Sequence, residues 1–388
     1  MFSLASTRRI ASGLILHANP LYVQFYITAR CNLTCQQCNI IYANSDVREC
    51  NLDEVEQIAA NLSRIGVAIV LLTGGEPFVR KDLPEIVRAF VKHGIHVRMQ
   101  TNGLASEEAL AKCIEYGGND ISISLDTLKP NLQDRINGEV NDSWIRAIKT
   151  ISTLTRVLPA KTFGALGCVL SPDNIEDVED VVRFGTAIGW YTSLVPAHVA
   201  HPSQPMNFRT YDKRLIFTPD QYPRVATLLR RLKRLKAAGA SLYDSDEYLD
   251  DIYRFITNEP TTWRRKNNGV CDSPSMYFAI LPNGAWAVCC DHRLPGPPVP
   301  VYDASFPEVY RTASFKDRAV SVAKSCSGCM FGSYPEITIT ARYWSAMFER
   351  ARVFMRPGAM RKEHAKWPLS VEVLQSIAAD ILARRDAQ

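Results

Sequence analysis

Between residues 21 and 197, short apolar runs alternate six times with amphipathic stretches, and this rhythm restricts the fold more than any other feature of the chain. Runs such as Val67-Ala68-Ile69-Val70-Leu71-Leu72 are apolar throughout, which marks strands buried on both faces. Strands are expected over 21–28, 67–72, 95–99, 120–125, 163–170 and 190–195. Helical spacing is expected over 52–65, 83–93, 107–116, 144–154 and 175–188. Strand–helix repetition of this kind builds a parallel sheet with right-handed crossovers. Six units fall short of the eight of a closed TIM barrel. The expected fold is therefore α/β, a partial (β/α)6 TIM-like barrel. After residue 197 the rhythm stops. A basic helix over 219–238 and a short helix over 249–256 form a connector. A cysteine-rich stretch of short strands and turns covers 263–332, and helices are expected over 343–353 and 369–384. The expected organisation is an N-terminal extension (1–20), the barrel (21–200), a helical connector (201–262), a small cysteine-rich β-hairpin/helix extension (263–335) and a helical tail (336–388).

Composition narrows the class. With 46% hydrophobic and 22% charged residues the chain reads as globular, and it has no apolar run long enough for a membrane span. The first residues, MFSLASTRRIASGLIL, make a poor secretory signal. A net charge of +5 over 388 residues is too small and too dispersed to argue for nucleic acid. The run RRLKRLK reads as a solvated helix face. Eleven cysteines, an odd number, argue against a disulfide framework and for clustered thiols in a reducing compartment, taken as the cytoplasm. Cys50, Cys113, Cys168 and Cys290 fall outside the spacings below and read as small buried hydrophobes.

The first cluster is Cys31-Asn32-Leu33-Thr34-Cys35-Gln36-Gln37-Cys38, in the loop after the first strand. Three thiolates do not complete a tetrahedral zinc site, whereas on a four-iron cube they leave one iron open to another ligand. Thr73-Gly74-Gly75-Glu76-Pro77 follows the second strand, Thr101-Asn102-Gly103 the third, and Ser122-Ile123-Ser124-Leu125-Asp126 the fourth. Polar residues at the carboxyl ends of parallel strands are where such sheets bind ligands. A carboxylate at Glu76 suits an ammonium group.

In these motifs the chain resembles the radical S-adenosylmethionine (radical SAM) superfamily. The resemblance implies a [4Fe-4S] cluster on Cys31, Cys35 and Cys38. Its open iron would bind S-adenosylmethionine (SAM), which is cleaved to a 5′-deoxyadenosyl radical that abstracts a substrate hydrogen. It further implies SAM contacts from Gln37, Thr73, Gly74, Gly75, Glu76, Asn102, Ser124 and Arg135, and a flavodoxin- or ferredoxin-type electron donor. Gln37 departs from the pattern, which commonly has an aromatic residue there, so only a main-chain contact to adenine carries over.

The second cluster is Cys271, Cys289, Cys326 and Cys329. The stretch YFAILPNGAWAVCC reads as a β-hairpin turning at Asn283-Gly284, with Cys326-Ser327-Gly328-Cys329 downstream. Four thiolates complete either an all-cysteine zinc site or a fully ligated iron–sulfur cube. The order resembles the SPASM and twitch extensions of radical SAM enzymes. Because no cysteine follows Cys329, the resemblance implies one auxiliary [4Fe-4S] cluster, with Cys290 as the alternate for Cys289. Asp291 and His292 are candidate proton acceptors, and His198 and His201 follow the sixth strand. Only 30 residues precede Cys31, which favours a small-molecule substrate over a peptide. The expectation is dehydrogenation of a small biosynthetic intermediate. Peptide, protein or RNA modification, a redox-neutral rearrangement and a non-enzymatic metal scaffold stand as alternatives.

Overall fold

Strands form where the apolar runs fall because both sheet faces are covered. The computed structural model describes residues 2–16, 19–38, 46–160, 162–198, 213–265, 271–326, 328–331, 333–355 and 365–386. Six parallel strands make the barrel: β1 (Tyr22–Thr28), β2 (Ile69–Gly74), β3 (His96–Thr101), β4 (Asp120–Ser124), β5 (Phe163–Leu170) and β6 (Tyr191–Pro196). Around them lie α1 (Leu4–Leu16), α2 (Leu52–Arg64), α3 (Leu83–Lys92), α4 (Glu107–Glu115), α5 (Pro130–Ile136), α6 (Ser143–Val157) and α7 (Val178–Ala187). Val23, Phe25, Ile27, Val70, Leu72, Val97, Met99 and Ile121 pack under these helices in one large core. The alternate positions Tyr22, Ile69 and Leu71 join Tyr277 and Tyr334 in a second cluster on the other face.

The connector contains α8 (Tyr222–Ala237), α9 (Asp246–Ile256) and the single turn α10 (Thr262–Arg265). Basic residues of α8 are paired on the protein itself: Arg231 with Glu179 at 2.7 Å, Lys233 with Asp250 at 2.7 Å, and Lys236 with Asp246 at 3.1 Å. The expected hairpin is present as β7 (Tyr277–Ile280) and β8 (Trp286–Ala287), with Ala279 opposite Ala287. Its placement was not anticipated. β7 lies parallel to β1, with Tyr22 opposite Tyr277, so the barrel sheet and the hairpin form one eight-stranded, open sheet in the order β6-β5-β4-β3-β2-β1-β7-β8.

Residues 263–332 are also more helical than expected. α11 (Phe306–Arg311) and α12 (Ala313–Lys324) occupy part of this stretch. Thr312 caps α12 through the Phe315 N–H, and Phe315, Ala319 and Ala323 line its buried face at helical spacing. In the tail, α13 (Ser333–Arg342) and α14 (Trp344–Met355) cover the second sheet face, and α15 (Val371–Asp386) is held by Arg385 on Asp180 at 2.8 Å. Tyr22 and Tyr277 reach Ser333 and Thr338 of α13 at 2.9 and 3.2 Å. Among the described residues, no helix is long and apolar enough to cross a membrane.

Candidate functional site

The loop after β1 carries Cys31, Cys35 and Cys38, and each neighbouring strand end is tied to it. Two backbone hydrogen bonds join the glycine motif to its start: Gly75 N–H to Thr28 O at 2.9 Å and Glu76 N–H to Arg30 O at 2.8 Å. The approach is so close that a Cβ on Gly75 would stand 2.1 Å from Arg30 O. Gly74 is at φ +151, where a Cβ would stand 2.3 Å from Thr28 O. The two glycines are thus required by this chain's own backbone where it enters the cysteine loop.

Glu76 is 1% exposed and binds three donors: Thr101 Oγ1 at 2.8 Å, Asn102 N–H at 2.7 Å and Phe78 N–H at 3.0 Å. Burial outweighs these bonds and pushes its carboxyl up to about 7. Asn102 in turn donates through Nδ2 to Asn32 Oδ1 at 2.7 Å and lies 4.0 Å from Cys31 Sγ. The cysteine loop is held on its other side by α5, where Gln36 N–H donates to Ile136 O at 2.9 Å and the Cys35 thiol reaches Asn137 Oδ1 at 3.6 Å. Arg135 is exposed on that helix, and Ser124 is half-buried at the end of β4. Thr73 Oγ1 points along the strand ends to Gln100 Oε1 at 3.5 Å. Burial raises the thiols of Cys31 and Cys35 above their ordinary range, so their ionised forms need a compensating positive charge.

Gln37 has a role that its sequence position did not disclose. Its Nε2 donates to Asp126 Oδ2 at 2.7 Å, while its Oε1 is buried without a hydrogen-bond partner among the described residues. Asp126 also accepts the Val169 N–H at 2.7 Å, and burial pushes it up to about 6. Asp126, at the end of the quoted strand motif, was legible only as part of that motif.

The second set of cysteines meets in one place. Cys271, Cys289, Cys326 and Cys329 line one cavity whose wall includes Trp263, Arg264, Tyr277, Val288, His292 and Tyr334. They arrive from β7's approach, the end of β8 and the segment after α12. Among the described residues, no three Cys, His, Asp or Glu converge on a single ion-sized site; the thiols stand around the cavity instead. Cys289 Sγ accepts the N–H groups of Asp291 and His292, both at 3.3 Å, and its thiol lies below its ordinary range, mainly through a hydrogen bond with Cys290. Burial raises Cys271 to about 12 and Cys329 well above its ordinary range. Cys290 packs instead among Tyr26, Ala279 and Leu281. Cys50, Cys113 and Cys168 are buried in the large core. Asp291 and His292 are therefore tied to Cys289 through their backbones, and His292 lines the cavity. His198 is buried beside Met330, and His201 lies outside the described residues.

Part of the chain is similar to known proteins. Residues 25–185 match the Radical SAM superfamily. A probable GTP 3',8-cyclase of Pyrococcus horikoshii is 31% identical over 183 residues, 47% of this chain and 57% of that protein. PqqA peptide cyclase of Rhodopseudomonas palustris is 30% identical over 193 residues, 46% of this chain and 51% of that protein. The chain thus spans about half the length of the curated relatives it matches. The structure of Streptococcus suis SuiB bound to precursor peptide SuiA superposes with a TM-score of 0.61 at 17% identity, over 87% of this chain and 77% of that one, a likeness of fold. The matched segment begins inside β1 and ends inside α7, enclosing the cysteine loop and the strand ends tied to it: residues 25–185 form a radical SAM superfamily domain.

Proposed function

We propose that this chain is a SAM-dependent radical enzyme that oxidises its substrate, with one [4Fe-4S] cluster on Cys31, Cys35 and Cys38 and an auxiliary one on Cys271, Cys289, Cys326 and Cys329. The observation supporting it is the convergence of four sequence-distant cysteines on one cavity, built on a strand that pairs with β1. The donor set suits a sulfur-rich group: among the described residues the lining has four soft thiols and no carboxylate, and a Trp263 indole N–H is buried without an acceptor. When bound, the first cluster with SAM supplies a hydrogen-abstracting radical, and the fully cysteine-ligated second cluster supplies an acceptor for the electron left on the substrate. The substrate then loses two hydrogens, one as an atom to the 5′-deoxyadenosyl group and one as a proton plus an electron. Asp291 or His292 is the proton acceptor in this reading.

The substrate in this reading is a small biosynthetic intermediate. A peptide is the second reading, favoured by the 30% identity to PqqA peptide cyclase. The anaerobic, reduced protein is expected to form 5′-deoxyadenosine from SAM. With substrate, it should give one product molecule lighter by two hydrogens for each 5′-deoxyadenosine. A product at the substrate's own oxidation level would replace oxidation by epimerisation or rearrangement.

In the same reading Glu76 takes the ammonium group of SAM. Glu76→Ala should weaken SAM binding about ten- to a hundred-fold, the loss of a charge-assisted hydrogen bond of roughly 1.5–3 kcal/mol. The carboxyl sits near 7 because it is buried. A bound ammonium favours the ionised form, so binding releases a proton, and affinity should rise as pH increases through about 7. Glu76→Gln should flatten that slope. Equilibrium binding of SAM against pH, with the cluster intact, checks both points. Unchanged affinity in Glu76→Ala, or a flat wild-type profile, would remove the assignment.

A further inference from the structure

We infer that His198 is a positioning residue for the auxiliary cysteine pair: it holds the peptide that follows Cys329 and so sets the reduction potential of the cluster those cysteines carry. The inference rests on the reading of Cys271, Cys289, Cys326 and Cys329 as cluster ligands. His198 lies two residues beyond β6, on the barrel, and is 6% exposed. Its Nε2 accepts the backbone N–H of Met330 at 2.9 Å, across 132 positions of sequence. An accepting Nε2 carries no proton, so the ring is neutral. The imidazole also stacks on Phe331, with centroids 4.1 Å apart and planes 7° apart, and meets Phe255 of α9 at 4.8 Å.

The carbonyl of Met330 is held as well. Tyr248 Oη, fully buried on α9, reaches Met330 O and the β6 carbonyl Leu194 O, both at 3.1 Å. Both polar groups of the residue after Cys329 are thus fixed by the barrel and its connector.

What this withholds matters electrically. Backbone N–H groups point at the other sulfurs: Asp291 and His292 at Cys289, Gly328 at Cys326 at 3.4 Å, and Phe331 at Cys329. N–H groups directed at cluster sulfurs, and water near them, raise a cluster's potential. The Met330 N–H, next in line after Cys329, is turned to the imidazole instead. Removing the imidazole frees this donor for sulfur and opens space for water, and both changes act in the same direction.

The test is an EPR-monitored redox titration of the reconstituted full chain, with iron content measured and the auxiliary signal isolated by Cys31→Ala, Cys35→Ala and Cys38→Ala. His198→Ala should shift the auxiliary potential to more positive values. His198→Gln, whose amide oxygen can accept the same N–H, should stay near the wild type. If His198→Ala loses auxiliary iron outright while His198→Gln keeps both iron and potential, the positioning role still stands. An unchanged potential in His198→Ala, or equal shifts in His198→Ala and His198→Gln, would overturn it. A wild-type chain with no auxiliary signal would instead overturn the ligand reading on which it rests.

Discussion

Cys326→Ala and Cys329→Ala variants, with the first cluster verified intact, should still form 5′-deoxyadenosine but give little oxidised product. The two functions separate because the cysteine sets are physically separate. Cys31, Cys35 and Cys38 stand at the carboxyl end of β1, stitched to β2, β3 and α5. Cys326 and Cys329 follow α12 and are held through Met330 by β6 and α9. Hydrogen abstraction needs only the first set. Completing an oxidation needs somewhere for the remaining electron to go, and in the proposed reading the second set supplies the ligands of that acceptor. Chromatographic measurement of 5′-deoxyadenosine beside product gives the ratio directly. Normal turnover in both variants would leave the second cysteine set a purely structural part.

The larger loss is expected at the first set. Replacing Cys31, Cys35 or Cys38 by Ala should reduce SAM cleavage to the background of protein-free controls. Three thiolates are the minimum that holds a cube while leaving one iron open, and no neighbouring cysteine is placed to substitute: Cys50, 1% exposed, is committed to the core. Burial already holds Cys31 and Cys35 above their ordinary thiol range. The positive charge of bound iron would offset that burial and favour the thiolates. Retention of cleavage in any of the three variants would remove that cysteine from the ligand set.

The barrel was legible because strands buried on both faces are written as unbroken apolar runs, and because the helices between them carry apolar residues at helical spacing. The cysteine loop and the Gly74-Gly75-Glu76 motif were legible from residue type and order. The pairing of β7 with β1 was not, since about 250 positions separate them and parallel register has no local signature. Helix α12 was overlooked although Phe315, Ala319 and Ala323 carried its spacing, because the surrounding turns and cysteines dominated the reading. Gln37 looked like a departure from an aromatic position. Only the structure shows its amide tied to Asp126. His198 looked like a loop residue at a strand end, and its partner, Met330, could not be read from so distant a sequence position.

The claim of two clusters on two cysteine sets is tested most directly by counting metal. After anaerobic reconstitution, the wild-type chain should hold about eight irons, two cubes of four. Joint replacement of Cys31, Cys35 and Cys38 by Ala should leave about four. Joint replacement of Cys271, Cys326 and Cys329 should leave the other four or so, still able to cleave SAM. A wild-type count near four, or stoichiometric zinc beside it, would contradict the auxiliary cluster and the oxidation that depends on it.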